Sequence, residues 1–501
     1  MEQRSLTLSP PELSEDALGF FRWGRVAGHV LVTNDAGDWA RLSEAEFADL
    51  LAGRIADGHP RFAELQGKGF LRDGLDLDAL AARMAQRNRH LRRGPYVHVV
   101  TLTVRGNARG ANGRALDGLD MTPETAAQVA EFVLQSTSPA VTVEFQGHTG
   151  EPLRNFDVLR HFVEVARTHN QRSTGKTLRL RVLSNFTALT EEIAEWLIAN
   201  EVLVTTSLDG PAALHDWNRT WKEGSAHADV VRWLDYFQRR YAELGRDPAQ
   251  WHVEALLTTT RRTLDAAREV VEEYATRGLQ TLCLRPLDRA RFDRDTWAAI
   301  GYTIEEYLEF YRRTIDHILE ANRRGIVLAE RTASIILTKM LTSDDPGAVD
   351  FQSPHGAGTG QIAYNVDGRI FPSDEARIVD AMGESFFELG HVRSLSIQDI
   401  VRHPTVRAIA AASLLDAQPM CADCWNKPFC GFSPVRNFIT QGDLFGQRPH
   451  CVECKEHLAI STRLVELLTD DSDATRQETL KRWTAGSVHT PTDGRAFPES
   501  P

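Results

Sequence analysis

The residues best suited to chemistry lie near the end of the chain. Five of its six cysteines fall in two stretches, CADCWNKPFCGFSP and RPHCVECKEH. Cys421 and Cys424 form one C-x-x-C pair, Cys451 and Cys454 form a second, and Cys430 stands between them. A C-x-x-C turn aims two thiolates at one ion, and a second pair closes a four-ligand shell. Iron–sulfur clusters and zinc both accept four thiolates, so ligand type does not choose between them. Five thiols fill one such shell and not two. The sixth, Cys283, sits in the apolar run TLCLRP and reads as a small buried hydrophobe.

A second motif carries the spacing of a metal site without its donors. In VRGNARGANGRA, Gly106, Gly110 and Gly113 recur as G-x-x-x-G-x-x-G at the end of an apolar run. Backbone amides in such a loop can cradle a phosphate, but no P-loop lysine follows in the required pattern. Elsewhere His98, Glu144, His148, Glu151, Asp209 and Glu254 lie at or near apolar runs. They are the available groups for acid–base chemistry, which needs a base within hydrogen-bond reach of its proton.

The elements that must position these groups read as alternating strands and helices. The apolar runs are 97–104, 140–145, 178–184, 203–209, 252–258 and 281–286, separated by amphipathic stretches such as TPETAAQVAEFVLQS and TEEIAEWLIANE. This alternation predicts βαβ crossovers and a parallel sheet. Six units with polar residues at the strand ends point to a partial (β/α)6 TIM-type barrel, whose site lies at the C-terminal ends of the strands. The doubly wound open sheet is the alternative. Ahead of the barrel, HVLVTND and LSEAEFADLLAG read as a small αβ unit, with Ser43 and Glu46 as a capping box and Gly53 as the stop. The expected divisions are an N-terminal unit over 1–75, a barrel over 94–300, a helical linker and cysteine-rich domain over 301–465, and a polar disordered tail over 466–501.

Composition narrows the class. At 501 residues with 42% hydrophobic content, the chain can bury a large core. A net charge of −12 argues against non-specific nucleic-acid binding. No apolar run is long enough to span a bilayer, and acidic residues and prolines occupy the N-terminus where a signal peptide needs an apolar segment. The expected location is cytoplasmic, where clustered cysteines read as metal ligands rather than disulfides.

With a partial barrel followed by a cysteine-rich segment, the chain resembles the radical S-adenosylmethionine enzymes that carry a SPASM-type extension. SLDGPAALHDWNR looks like the fourth-strand segment of peptide-modifying members, EFQGHTGEPLRNFD like their second-strand G-G-E-P motif, and NVDGRIFPSDEAR like the opening of the SPASM region. FRWGRVAGHVLVTNDAG, DFQSPHGAG and CGFSPVRNFITQGDLFG together look most like the maturases of the His-Xaa-Ser peptide system. The resemblance implies maturation of a ribosomally made precursor peptide, alone or with a partner maturase, and a role in leader-peptide recognition for the N-terminal unit. It also implies an S-adenosylmethionine pocket at Gly147, Gly150, Glu151, Pro152, Ser184, Asn185, Ser207, Asp209, Arg261 and Arg285. Cys421, Cys424, Cys430, Cys451 and Cys454 would then hold one auxiliary [4Fe–4S] cluster, with zinc as the alternative.

Three departures stand against full family chemistry. The family's first strand is followed by C-x-x-x-C-x-x-C, whose thiolates hold the radical-generating cluster; here those positions are Gly106, Gly110 and Gly113. The neighbours Asn107, Arg109 and Asn112 are poor iron ligands, so these read as vacated cluster positions. His148 and Thr149 are extra residues inside the G-G-E-P turn, and Ser373 and Ser433 stand where auxiliary-cluster cysteines are common. The expectation is a degenerate member without radical cleavage. A cluster-disabled variant of an active maturase, and a barrel reused for non-radical acid–base chemistry, are the alternatives.

Overall fold

A computed structural model of the chain describes residues 16–106, 120–146, 150–219, 224–287, 292, 294–470 and 472–484. Near its N-terminus, β1 (Arg22–Val26), β2 (His29–Thr33) and β3 (Trp39–Leu42) form a three-stranded antiparallel sheet. The helix Glu44–Leu51 follows. Ser43 Oγ accepts from Glu46 N at 3.2 Å and Glu46 Oε2 accepts from Ser43 N at 2.7 Å, completing the capping box read from the sequence.

The centre is one ten-stranded sheet. Its first six strands are β4 (Val97–Val100), β5 (Ala140–Phe145), β6 (Thr177–Leu183), β7 (Val202–Ser207), β8 (Glu254–Thr258) and β9 (Thr281–Arg285). They are parallel and lie side by side in chain order. The helices Pro123–Leu134, Phe156–His169, Glu191–Ala199, Ala226–Glu243, Ala267–Thr276 and Ile304–Arg323 follow these strands one by one. A doubly wound sheet reverses its strand order at a switch point. From β4 to β9 this one never does, so these six strands form a single-wound partial barrel.

The barrel's two faces differ in chemistry. Val141, Val143, Phe145, Leu180, Val182, Val204, Ala255, Leu257, Leu282 and Leu284 pack into one core with the helices, where Phe145 meets Phe162 edge-on at 5.0 Å. Parallel strands buried on both faces usually read as near-continuous apolar runs. Here the inner face instead carries Thr142, Glu144, Arg181, Thr205 and Glu254. Arg181 Nη1 donates to Glu254 Oε2 at 2.7 Å across the lumen.

Two additions to this sheet were not legible in the sequence. The stretch 303–343 reads as one long helical region, yet it is broken by β10 (Ala329–Glu330), which pairs with β9. On the other flank β11 (Gln361–Tyr364) runs parallel to β4, and β12 (Arg369–Phe371) and β13 (Gly390–His391) continue antiparallel. The cysteine-rich region is therefore joined to the first barrel strand by a shared hydrogen-bond ladder.

The tail needs a correction. Residues 466–470 and 472–484 are not a disordered polar segment. The helix Val452–Thr469 runs on through 466, and a further helix spans Ala474–Arg482. That last helix is strongly polar but docks through Leu480 and Trp483, both buried, and through an Arg323–Asp473 ion pair at 2.7 Å. Two apolar anchors are too few to make a periodic signal. Residues 485–501 lie outside the described residues.

Candidate functional site

At the mouth of the barrel, the loops after β4 and β5 are pinned to each other. Arg105 Nε donates to Asp120 Oδ1 at 2.9 Å, and Thr103 and Asp120 form an isolated bridge, closing the neck of the glycine loop. Gly106 is exposed at this neck. Gly110 and Gly113, together with Asn107, Arg109 and Asn112, lie outside the described residues, as do Gly147, His148 and Thr149. Gly150 is required by contact: a Cβ there would sit 2.1 Å from the Thr103 carbonyl oxygen. Next to it, Glu151 N donates to the Arg105 carbonyl at 2.9 Å.

Glu151 then ties this edge to the third strand. Its carboxylate accepts from Ser184 Oγ at 2.7 Å, from Asn185 N at 2.8 Å and from Leu153 N at 3.2 Å, while Pro152 beside it is buried. Burial pushes its pKa up, and the three donors oppose that shift. The structure thus gathers Gly150, Glu151, Pro152, Ser184 and Asn185 into one bracket.

The remaining pocket residues stand apart from it. Asp209, at the end of β7, is fully enclosed and accepts from Arg219 Nε at 2.8 Å, Thr258 N at 3.0 Å and Asn218 Nδ2 at 3.3 Å. Its oxygens are occupied by its own chain. Ser207 is half-buried and Arg285 is exposed at the strand ends. Arg261 is half-exposed and meets Glu306 at 3.8 Å, an ordinary rim pair.

Among the described acid–base candidates, Glu144 and Glu254 meet around Arg181 on the lumen face, while the others lie apart. His98 is enclosed in the sheet, where Nδ1 accepts from the Tyr364 hydroxyl at 2.9 Å and Nε2 donates to the Pro95 carbonyl at 3.3 Å. Burial pushes its pKa down to about 3, so it is neutral. Glu254 is bound to Arg181, and burial raises the pKa of Glu144.

The cysteine segment is held differently. Cys451 is buried and Cys421, Cys424, Cys430 and Cys454 are half-buried. Burial pushes Cys421 and Cys451 up to about 11 and Cys430 well above the ordinary thiol range, and neighbouring thiols add to the shift. Cys421, Cys424 and Cys454 all act on Cys430, which places four sulfurs in one neighbourhood. They are gathered rather than arranged: among the described residues, no three His, Cys, Asp or Glu side chains stand ready around one ion. The donor chemistry nonetheless suits a four-thiolate group, because buried thiolates need a metal's positive charge to exist side by side.

The scaffold around this segment comes from distant parts of the chain. The N-terminal sheet packs on the first C-x-x-C turn: Thr33 Oγ1 donates to the Trp425 carbonyl at 2.8 Å and Arg22 Nε to the Ala422 carbonyl. Lys427, itself buried, reaches Asp35 at 2.8 Å and also Asp416. The Trp425 ring lies so close to Gly24 that a Cβ there would approach it to 2.3 Å. Ser373 and Ser433 serve as N-caps, accepting from Ala376 N at 3.3 Å and Arg436 N at 3.4 Å. Both serines are satisfied without any metal.

The sequence reading missed the buried Arg448 and the half-buried Lys339, two cations that act on the thiols. Arg448 stands three residues before Cys451, a spacing that could have drawn attention to it. Lys339 has no local signal. Among the described residues, no helix is long and apolar enough to cross a membrane.

Comparison with known proteins agrees with this architecture. No family model matches the chain. It is 24% identical over 288 residues to the cysteine-type anaerobic sulfatase-maturating enzyme of Clostridium perfringens, a match covering 56% of this chain and 70% of the relative. The solved structure of native anSMEcpe with bound AdoMet superposes with a TM-score of 0.62 at 16% identity, over 77% of this chain and 99% of that one. The same protein with AdoMet and the Cp18Cys peptide gives 0.61 at 18%, over 74% and 98%. Streptococcus suis SuiB bound to precursor peptide SuiA gives 0.51 at 12%, over 88% and 99%. The chain is thus homologous to an anaerobic sulfatase-maturating enzyme and shares the partial-barrel fold of these solved structures.

Proposed function

We propose that the chain is a degenerate radical-SAM/SPASM-type protein that takes part in maturing a ribosomally made peptide, of the His-Xaa-Ser type, without radical cleavage of S-adenosylmethionine. The observation that carries this reading is the residue at position 106. It stands on the pinned neck after β4, and glycine gives that neck no side chain with which to hold iron. The bracket of Gly150, Glu151, Ser184 and Asn185 keeps the mouth's shape beside it. Relatives solved with peptides bound support a peptide as the partner.

In this reading, Cys421, Cys424, Cys430 and either Cys451 or Cys454 hold one auxiliary metal group, an iron–sulfur cluster or zinc. Such a group supplies a rigid four-thiolate cross-link and, if it contains iron, a one-electron redox centre. The chain's own contribution is positional: the N-terminal sheet and the Lys427 ion pairs fix the first C-x-x-C turn, and the Glu151 bracket fixes the mouth. Anaerobic reconstitution with iron and sulfide tests the proposal. About four irons per chain are expected, with no 5′-deoxyadenosine above background after reduction in the presence of S-adenosylmethionine. Release of 5′-deoxyadenosine would overturn it.

A further inference from the structure

Arg448 is a buried cation without an anion. The residue is 5% exposed, and among the described residues no carboxylate pairs with it. Its Nη2 donates to the Phe445 carbonyl, its guanidinium lies 3.7 Å from the centre of the Phe432 ring, and Nε is buried with no partner. Nη1 is directed at Cys451 Sγ at 3.9 Å, the long reach of an N–H to sulfur contact. A guanidinium does not deprotonate, so burial leaves it charged and in need of a counter-charge. A backbone carbonyl and an aromatic face supply only part of that.

The groups near enough to serve are thiols. Arg448 acts electrostatically on Cys421, Cys451 and Cys454 together. Lys339, half-buried, donates to the Phe351 carbonyl and acts on Cys430. A guanidinium beside neutral thiols remains uncompensated. Beside four thiolates around a divalent metal or a [4Fe–4S] core, which together are net negative, it is matched. The cations and the thiols therefore account for each other once a metal is bound.

We propose that Arg448 is a charge-compensating neighbour of the cysteine metal group, donating to the sulfur of Cys451 in its second C-x-x-C pair and, together with Lys339 near Cys430, retaining the metal and raising the reduction potential of a bound iron–sulfur cluster. This rests on the reading that the cysteines hold a metal. It adds which residues outside the thiols control that group. Outer partners of metal ligands commonly change affinity by about 10–100-fold when removed.

The test uses the full chain, loaded anaerobically with iron and sulfide or with zinc, as wild type, R448M, R448K and K339M. Metal per chain, the rate of metal loss to a chelator and, for iron, the midpoint potential by EPR-monitored titration are measured. R448M is expected to lose metal about 10–100-fold faster and to show a lower potential. R448K, which keeps the charge but not the planar fork, should fall between, and K339M should shift the potential the same way. If R448M does not fold, the ordering of R448K and K339M against wild type decides the matter. A wild type that retains no metal would defeat the underlying reading. A wild type that retains it, with all three variants indistinguishable from it, would overturn the role of Arg448 and Lys339 alone.

Discussion

The barrel mouth and the cysteine segment are opposite halves of one design problem. Among the described residues of the mouth the framework rests on backbone contacts: Gly150 packs against the Thr103 carbonyl and Glu151 bridges to Ser184 and Asn185, while Gly106 carries no side-chain donor. In the cysteine segment the thiols are present, with buried cations beside them, and the framework is borrowed from the N-terminal sheet and the barrel flank. Such a backbone framework is sustained by its own hydrogen bonds and packing. A cluster of buried thiols and cations has no comparable reason to persist without a metal.

The sharpest way to break this contrast is to return donors to the mouth. The triple variant G106C/G110C/G113C is expected to raise iron from about four to about eight per reconstituted chain. An unchanged count would mean that the mouth no longer has the shape of a cluster site. Conversely, C424S should strip the cysteine segment of bound metal while the barrel remains folded, as read by metal analysis beside far-ultraviolet circular dichroism. Retention of full metal would remove Cys424 from the ligand set.

Acid probes the barrel side. His98 is neutral in the fold, with a pKa of about 3 against an ordinary 6.5. A depressed folded pKa means that the unfolded chain binds the extra proton, so stability is full above about pH 6.5 and falls as the pH drops toward 3. The expected loss is of order 4 kcal/mol across that window, and H98Q should flatten the slope in urea titrations at stepped pH. A parallel slope in H98Q would place the acid sensitivity elsewhere.

Two glycines then separate the regions. G150A forces a Cβ onto a backbone oxygen and should cost about 1–3 kcal/mol of stability with metal content unchanged. G24A presses on Trp425 and should speed metal loss with the mouth's contacts intact. If the two variants had the same effect on metal, the regions would not be separable. Smallest of all, R261A should shift stability by less than about 0.5 kcal/mol, because its partner Glu306 is a half-exposed rim residue.

How much of this was legible follows from the range of the interactions involved. The barrel was readable because each βα unit carries its own signal: an apolar run, a capped amphipathic helix, a polar strand end. The capping box at Ser43 and Glu46 lies within four residues and appears as read. Strand β11 was not readable, because its four residues lie in a Gly- and Pro-rich stretch and gain strand structure only by pairing with β4. Arg261 and Asp209 were assigned to one pocket from their strand-end positions, but one is an exposed rim group and the other is consumed by Arg219, Asn218 and Thr258.

The sequence by itself determined the alternating βα units, the five clustered thiols and the glycine at position 106, because residue identity and short-range spacing set all three, while the strand order that excludes a doubly wound sheet came from the fold. Only the tertiary structure decided which residues surround those thiols. Arg22, Asp35, Lys339 and Arg448 come from widely separated segments, and charges act through space rather than along the chain.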